Sequence, residues 1–127
     1  MSAEAGAAPT RRILLVDDNT DSAESLGGCV SVSGHAVGTA ADGPSALRVF
    51  DEFRPDVVLC DLGLPGMNGY EVGRALRARP DGARIFLAAL TGYSDASDRK
   101  RTAEAGFDLH LVKPVDPFEL ERLIERV

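Results

Sequence analysis

The chain has 127 residues, which is room for one compact domain and not for two. Apolar residues at 44% and charged residues at 27% are ordinary for a globular protein and too apolar for a disordered one. Fourteen Lys and Arg against twenty Asp and Glu give a net charge of −6, which argues against nucleic acid or anionic membranes as direct partners. No apolar run approaches the roughly 18 residues of a membrane span. Met1 to Thr10 lacks the apolar segment of a secretory signal. Two cysteines, Cys29 and Cys60, and two histidines are too few for a disulfide framework and make a structural zinc site an unfavoured reading. Cys60 lies in an apolar run and reads as a small buried hydrophobe. A reducing, cytoplasmic location is the expectation.

In chain order, residues 1–10 are Ala/Gly-rich and read as a disordered leader, and residues 11–127 read as one domain. Short aliphatic runs predict strands at Ile13–Val16, His35–Ala40, Val57–Cys60, Ile85–Leu90 and Leu109–Val112. Four of them are almost continuously apolar, as parallel strands covered on both faces should be. The stretches between them carry helical spacing. The first predicted helix, about Thr20 to Ser33, contains Gly27-Gly28, which cost roughly 1 kcal/mol each relative to Ala, so tertiary packing must hold it. The second opens at Asp42-Gly43-Pro44 and places Ala46, Val49, Phe50 and Phe53 on one face. Asn68 is the candidate cap of the third. The fourth, about Ser94 to Ala105, offers only Ala96 and Ala103 as inward residues and carries Arg99, Lys100 and Arg101, which makes it the most easily moved element. The last opens with Asp116 as cap, Pro117 and Glu119, and shows Leu120, Leu123, Ile124 and Val127 at helical spacing. Gly34 and Gly106 sit where helix C-terminal glycines belong. Five strands alternating with five helices predict a doubly wound α/β fold, a five-stranded parallel sheet of flavodoxin-like (βα)5 type.

Ligands of such a sheet bind at the carboxyl ends of the strands. The first strand ends in Asp17-Asp18, the third in Asp61, the fourth in Thr91-Gly92 and the fifth in Lys113-Pro114. Each alone has an ordinary explanation: Asp after a strand is often a cap or a turn former, and Lys before Pro a solvated charge. Together they bring three carboxylates, a hydroxyl and an ammonium to one rim. Asp61 also precedes a Gly/Pro-rich loop, Leu62 to Gly69, of the kind that admits close backbone approach to a ligand. Two carboxylates about 5 Å apart repel by roughly 3 kcal/mol at an effective dielectric near 20, so three stay ionised together only when a cation joins them. Oxygen-only ligands select Mg²⁺ or a similar hard ion such as Mn²⁺. Such a site is built to stabilise a transferring phosphoryl group, with Asp61 as the nucleophile.

The segments Leu14-Leu15-Val16-Asp17-Asp18-Asn19, Asp61-Leu62-Gly63-Leu64-Pro65-Gly66-Met67-Asn68-Gly69, Leu90-Thr91-Gly92 and Leu111-Val112-Lys113-Pro114 resemble the receiver domain of bacterial two-component response regulators. The likeness runs from Arg12 to Val127. It implies that Asp61 is the phosphoacceptor, supplied by a histidine kinase or a histidine phosphotransfer protein. It implies that Asp18, Asp61 and the backbone carbonyl of Gly63 hold Mg²⁺, with Asp17 acting through water. Lys113 matches the phosphate-pairing lysine, Pro114 a proline whose preceding peptide bond is typically cis, and Thr91 the switching hydroxyl. Gly63 and Tyr93 occupy positions that tune phosphoryl lifetime. One departure is His110, which stands where the family usually has a Tyr or Phe that turns inward with Thr91.

The resemblance implies a signalling module that promotes only its own phosphorylation and dephosphorylation, and it assigns the downstream effector to the face of the fourth helix, fifth strand and fifth helix. A stand-alone regulator and a receiver excised from a hybrid histidine kinase or a multidomain regulator both remain open, with the Asp61–Gly69 loop leaning toward hybrid kinases. Three other readings fit the sequence less well. A phosphatase with an aspartate nucleophile and Mg²⁺ needs a second Asp two residues later, where Gly63 stands. An FMN-binding flavodoxin-like module needs a phosphate loop where Asp17-Asp18 stand. An interaction-only pseudo-receiver would not retain Asp17, Asp18, Asp61, Thr91 and Lys113 together.

Overall fold

Strand and helix alternate along the whole of the computed structural model, which describes residues 10–32, 34–64, 66–92, 96–113 and 115–126. The elements are β1 (Arg12–Val16), α1 (Thr20–Val32), β2 (Ala36–Ala40), α2 (Gly43–Phe53), β3 (Val57–Asp61), α3 (Gly69–Arg77), β4 (Phe86–Thr91), α4 (Ala96–Glu104), β5 (Leu109–Val112) and α5 (Pro117–Arg126). All strand pairs are parallel and the order is β2-β1-β3-β4-β5. From β1 the chain steps outward to β2 and then returns to β3 on the other side of β1. That reversal puts the crevice of the sheet between the carboxyl ends of β1 and β3.

Two cores cover the sheet. Leu14, Val16, Val58, Cys60, Leu87 and Ala89 point to the side of α2 and α3, with Phe50, Val72, Leu76 and Phe107. Ile13, Leu15, Val57, Leu59, Ala88 and Leu90 point to the other side, with Val30 of α1 and Leu120 and Ile124 of α5. Each fully buried aliphatic side chain stabilises the fold by about 1.5–3 kcal/mol, and these strands bury theirs on both faces. The continuous apolar reading of β1, β3 and β4 follows from this. β5 is apolar apart from His110 and lies at the sheet edge, so Leu109, His110 and Leu111 are half-buried and Val112 is exposed.

The expected punctuation is present. Asp42 Oδ1 accepts from Ser45 N at 2.8 Å and caps α2. Asn68 and Glu71 form a reciprocal capping box on α3. Asp116 Oδ1 accepts from Phe118 N at the start of α5. Gly106 has φ +98°, and the Gly106 N–H and Phe107 N–H donate to the carbonyls of Ala103 and Thr102, a Schellman end to α4. The glycine-weakened α1 forms over thirteen residues because Ala23, Gly27 and Val30 are buried against the sheet. His35 is also buried: its Nδ1 accepts from Arg11 N at 2.9 Å, which leaves the hydrogen on Nε2, 3.0 Å from Glu121 Oε1.

The inward face of α4 differs from expectation. Ala103 is exposed, and among the described residues here Thr102 on α4 and Ala105 just after it are buried. Thr102 tolerates burial because its hydroxyl donates to the Arg99 carbonyl at 2.8 Å. Tyr93, Pro114, Val127 and the leader as far as Pro9 lie outside the described residues, as does the side chain of Ala96.

One arginine joins two connections, α3–β4 and α4–β5. From the last turn of α3, Arg77 Nε donates to the Gly106 carbonyl at 2.8 Å and Nη1 to the carbonyls of Gly82 and Ile85 at 2.9 Å. Its Nη2 donates to Asp108 Oδ2 at 2.7 Å, and that oxygen also accepts from Leu87 N. Loss of this side chain strands several part-buried acceptors at once. Arg77→Ala is expected to lower unfolding free energy by about 2–4 kcal/mol, read as a lower urea midpoint at unchanged slope.

Candidate functional site

The carboxyl edge is assembled by register. Val16 pairs with Cys60, so Asp17 and Asp61 leave adjacent strands at the same level. Asp61 pairs with Leu90, and Thr91 with Val112, which sets Thr91 and Lys113 one residue further along the same rim. The Lys113 N–H donates to the Thr91 carbonyl at 2.7 Å and prolongs the pairing of β4 and β5.

Asp17, Asp18 and Asp61 each offer a carboxylate oxygen, and these atoms lie within 4.8 Å of one another. At that spacing each charge pair repels by roughly 3 kcal/mol at an effective dielectric near 20. The ordinary explanation of Asp17-Asp18 as a helix cap is removed by Asn19, whose Oδ1 accepts from Ser22 N at 3.1 Å and whose carbonyl accepts from Ala23 N. Asp17 is buried, and its Oδ1 accepts from Asn19 N at 2.9 Å. Asp18 is exposed to solvent. Asp61 Oδ1 accepts from Gly63 N at 2.7 Å.

Lys113 closes the arrangement. Its Nζ donates to Asp61 Oδ2 at 2.8 Å and to Asp17 Oδ2 at 3.1 Å. Partial burial alone would lower the ammonium pKa, but the hydrogen bonds and charges of Asp61 and Asp17 outweigh it and hold the group above its ordinary value. Thr91 is buried beside it on the rim. Cys60 sits directly beneath. Burial, reinforced by the charges of Asp61 and Asp17, pushes its thiol pKa up, so it stays protonated and inert.

The loop after Asp61 behaves differently from a bare ligand cradle. A Cβ on Gly69 would stand 2.5 Å from Leu62 Cα and 2.6 Å from the Asp61 carbonyl oxygen, so glycine there lets α3 fold back onto the end of β3 itself. Gly63 remains exposed near Asp61 Oδ1. Two residues of the site stand outside the sequence expectations: Asn19, the cap of α1, and Gly69, a packing residue. A polar residue just before a helical run was the available signal for the first, but contact with Leu62 leaves no trace in local pattern.

The donor set is all oxygen, three carboxylates with one of them solvent-facing, and it fits a hard divalent cation better than a soft one. Compared with known proteins, residues 13–125 match the family model of the response regulator receiver domain. The chain belongs to that family. The receiver is 40% identical over 116 residues to a probable transcriptional regulator, ycf27, of Porphyridium aerugineum, covering 91% of this chain and 47% of that protein. It thus spans about half the length of this curated relative. Among solved structures it superposes on chemotaxis response regulator CheY4 of Vibrio cholerae with a TM-score of 0.86 at 28% identity, covering 93% of this chain and 98% of that one. It is also similar to the receiver domain of sensor histidine kinase PA1611 from Pseudomonas aeruginosa, solved with a magnesium ion in its active site cleft (TM-score 0.84, 34% identity, 93% and 97% covered). The receiver is a module of two-component signalling, not a classical enzyme, and among the described residues no helix is long and apolar enough to cross a membrane. The phosphatase and flavin readings are not favoured.

The ion pair makes stability depend on pH in a defined direction. A lysine whose folded pKa lies above the unfolded value contributes fully below about pH 10.4 and loses that contribution as pH rises through the folded value. The unfolding free-energy difference between wild type and Lys113→Met is therefore expected to be flat from neutral pH to about pH 10 and to shrink above it, measured by urea titration at each pH.

Proposed function

We propose that Asp61 accepts a phosphoryl group from the phosphohistidine of a histidine kinase or histidine phosphotransfer protein. A carboxylate oxygen of Asp61 attacks phosphorus, the bond to the donor imidazole breaks, and the imidazole nitrogen takes up a proton. The observation that carries this reading is the Lys113 ammonium 2.8 Å from Asp61 Oδ2 inside a group of three carboxylates. An ammonium so held faces the position where phosphoryl oxygens gather charge. Asp18, Asp61 and the Gly63 carbonyl would hold Mg²⁺ or Mn²⁺, with Asp17 acting through water. Bound there, the ion supplies charge neutralisation to the phosphoryl oxygens.

Asp17 orients Lys113 through the 3.1 Å hydrogen bond and keeps it protonated. Phosphoryl oxygens on Asp61 engage Thr91 and Lys113, and the population moves toward a second arrangement of α4 and β5 in which His110 turns with Thr91. A downstream effector reads the α4–β5–α5 face. The domain, residues 11–127 after the leader, promotes only its own phosphorylation and dephosphorylation in the cytoplasm, alone or within a longer regulator or hybrid kinase. Gly63, two residues after Asp61, and Tyr93, two after Thr91 in sequence, set the phosphoryl lifetime through the access of attacking water, and Pro114 is the candidate for a cis peptide.

Acetyl phosphate with Mg²⁺ is expected to label wild type at one equivalent, read by intact mass or by phosphate-affinity gel. Asp61→Asn abolishes the label, and chelation of the ion suppresses it by orders of magnitude. Full labelling of Asp61→Asn would move the acceptor elsewhere. Tyr93→Ala is expected to quicken loss of the label in a single-turnover decay, and an unchanged rate would remove Tyr93 from this role.

A further inference from the structure

β5 and α4 meet through a polar contact. Leu109 and Leu111 turn to the core shared with α1 and α5, which sends His110 to the opposite face, beneath α4. There His110 Nδ1 lies 3.4 Å from Thr102 Oγ1. Thr102 is buried, and its single hydroxyl hydrogen is committed to the Arg99 carbonyl at 2.8 Å. Its oxygen is therefore the acceptor toward His110, and His110 carries a hydrogen on Nδ1. The backbone carbonyl satisfies the donor half of the buried hydroxyl and His110 satisfies the acceptor half. At 3.4 Å the contact is long for a hydrogen bond, so it is weak enough to give way.

Thr102 is also a fixed point. It lies at the C-terminal end of α4, where its own carbonyl accepts from Phe107 N. Phe107 packs on α3 so closely that a Cβ on Gly73 would stand 2.5 Å from the ring. Gly106, between them, receives Arg77. The His110 ring is thus referenced to the anchored end of α4. We propose that Thr102 is a positioning residue of the switch, its hydroxyl oxygen holding the His110 imidazole against α4 while Asp61 is engaged by Lys113 and Gly63. The turn of His110 with Thr91, as proposed above, gives up that contact. A phenylalanine at 110 or an aliphatic residue at 102 could not make it. The inference rests on the reading of His110 as the residue that turns with Thr91.

The test uses the full chain with beryllofluoride, a phosphoryl mimic, at fixed Mg²⁺, followed by amide and imidazole NMR. Thr102→Val keeps the volume and removes the hydroxyl. It is expected to lower the beryllofluoride concentration at half-saturation by about 3- to 10-fold and to erase the Nδ1-protonated signature of His110. Thr102→Ser, which restores the hydroxyl, brings both back toward wild type. In a His110→Phe background Thr102→Val shifts nothing, because no imidazole is left to hold. An equal shift in that background would overturn the proposal by assigning the effect to α4 packing alone. If the His110 ring responds to beryllofluoride but Thr102→Val leaves half-saturation unchanged, the latch is wrong and the His110 switch stands. If the wild-type ring does not respond at saturation, both fall. Thr102→Ala carries the same arms should the valine variant not fold.

Discussion

Like charges held together by a parallel sheet are the constraint on which the site depends. Adjacent strands lie about 4.8 Å apart, and β1 and β3 each end in aspartate at the same level, so the sheet itself sets the separation of the carboxylates. In an unfolded chain these groups would drift apart at no cost. Here the buried apolar rows of β1 and β3 prevent that, and part of the burial energy is stored as electrostatic repulsion at the rim. Lys113 relieves it for Asp17 and Asp61, while Asp18 faces solvent. A site in this condition is prepared for cations and for phosphoryl oxygens before either arrives, which is the general meaning of electrostatic preorganisation.

Rigidity is distributed unevenly around that rim. Below it, Cys60 and its neighbours are sealed and chemically inert. On one side the loop after Asp61 is pinned by Gly69 against Leu62 and by the capping box of α3. On the other side α4 has a different character: its sequence is strongly polar, with Thr102 and Ala105 buried and three consecutive cations at 99–101. Arg101 lies 4.2 Å over the ring of Tyr70, so even its lateral attachment to α3 runs through a charge on an aromatic face. The Arg77 hub and the Gly73–Phe107 contact secure the C-terminal end of α4. An element fixed at one end and joined to its neighbours by polar contacts can change arrangement without unpacking a core.

The similarity to chemotaxis and kinase receivers places the chain in a family whose members are read by many different outputs, and the fold alone does not select among them. A feature of this receiver that the fold does not dictate is a histidine at 110 facing a threonine at 102. Both are polar where an apolar pair would pack more strongly, so the coupling between β5 and α4 rests on hydrogen-bond geometry more than on buried area.

Much of this was legible in residue order. Strand positions emerged within a residue or two because doubly covered strands must be apolar throughout, and caps at Asp42, Asn68 and Asp116 emerged because unsatisfied helix ends demand particular side chains. The rim residues were legible for the same reason: a charge directly after an apolar strand has few places to go. Other features had to wait for the folded chain. The phase of α4 departs from its aliphatic pattern: counting aliphatic residues puts Ala103 inward, whereas a local hydroxyl-to-carbonyl bond lets Thr102 take the buried place. The apolar β5 became an edge strand, the glycine at 69 a packing device, and Arg77 a hub linking residues up to 31 apart. Local sequence determines what a segment needs chemically, burial or a cap or a counter-charge, since those needs are set by its own atoms. Which distant residue meets the need is decided by strand order and register, because only the assembled sheet brings residues 17, 61 and 113 within hydrogen-bond reach.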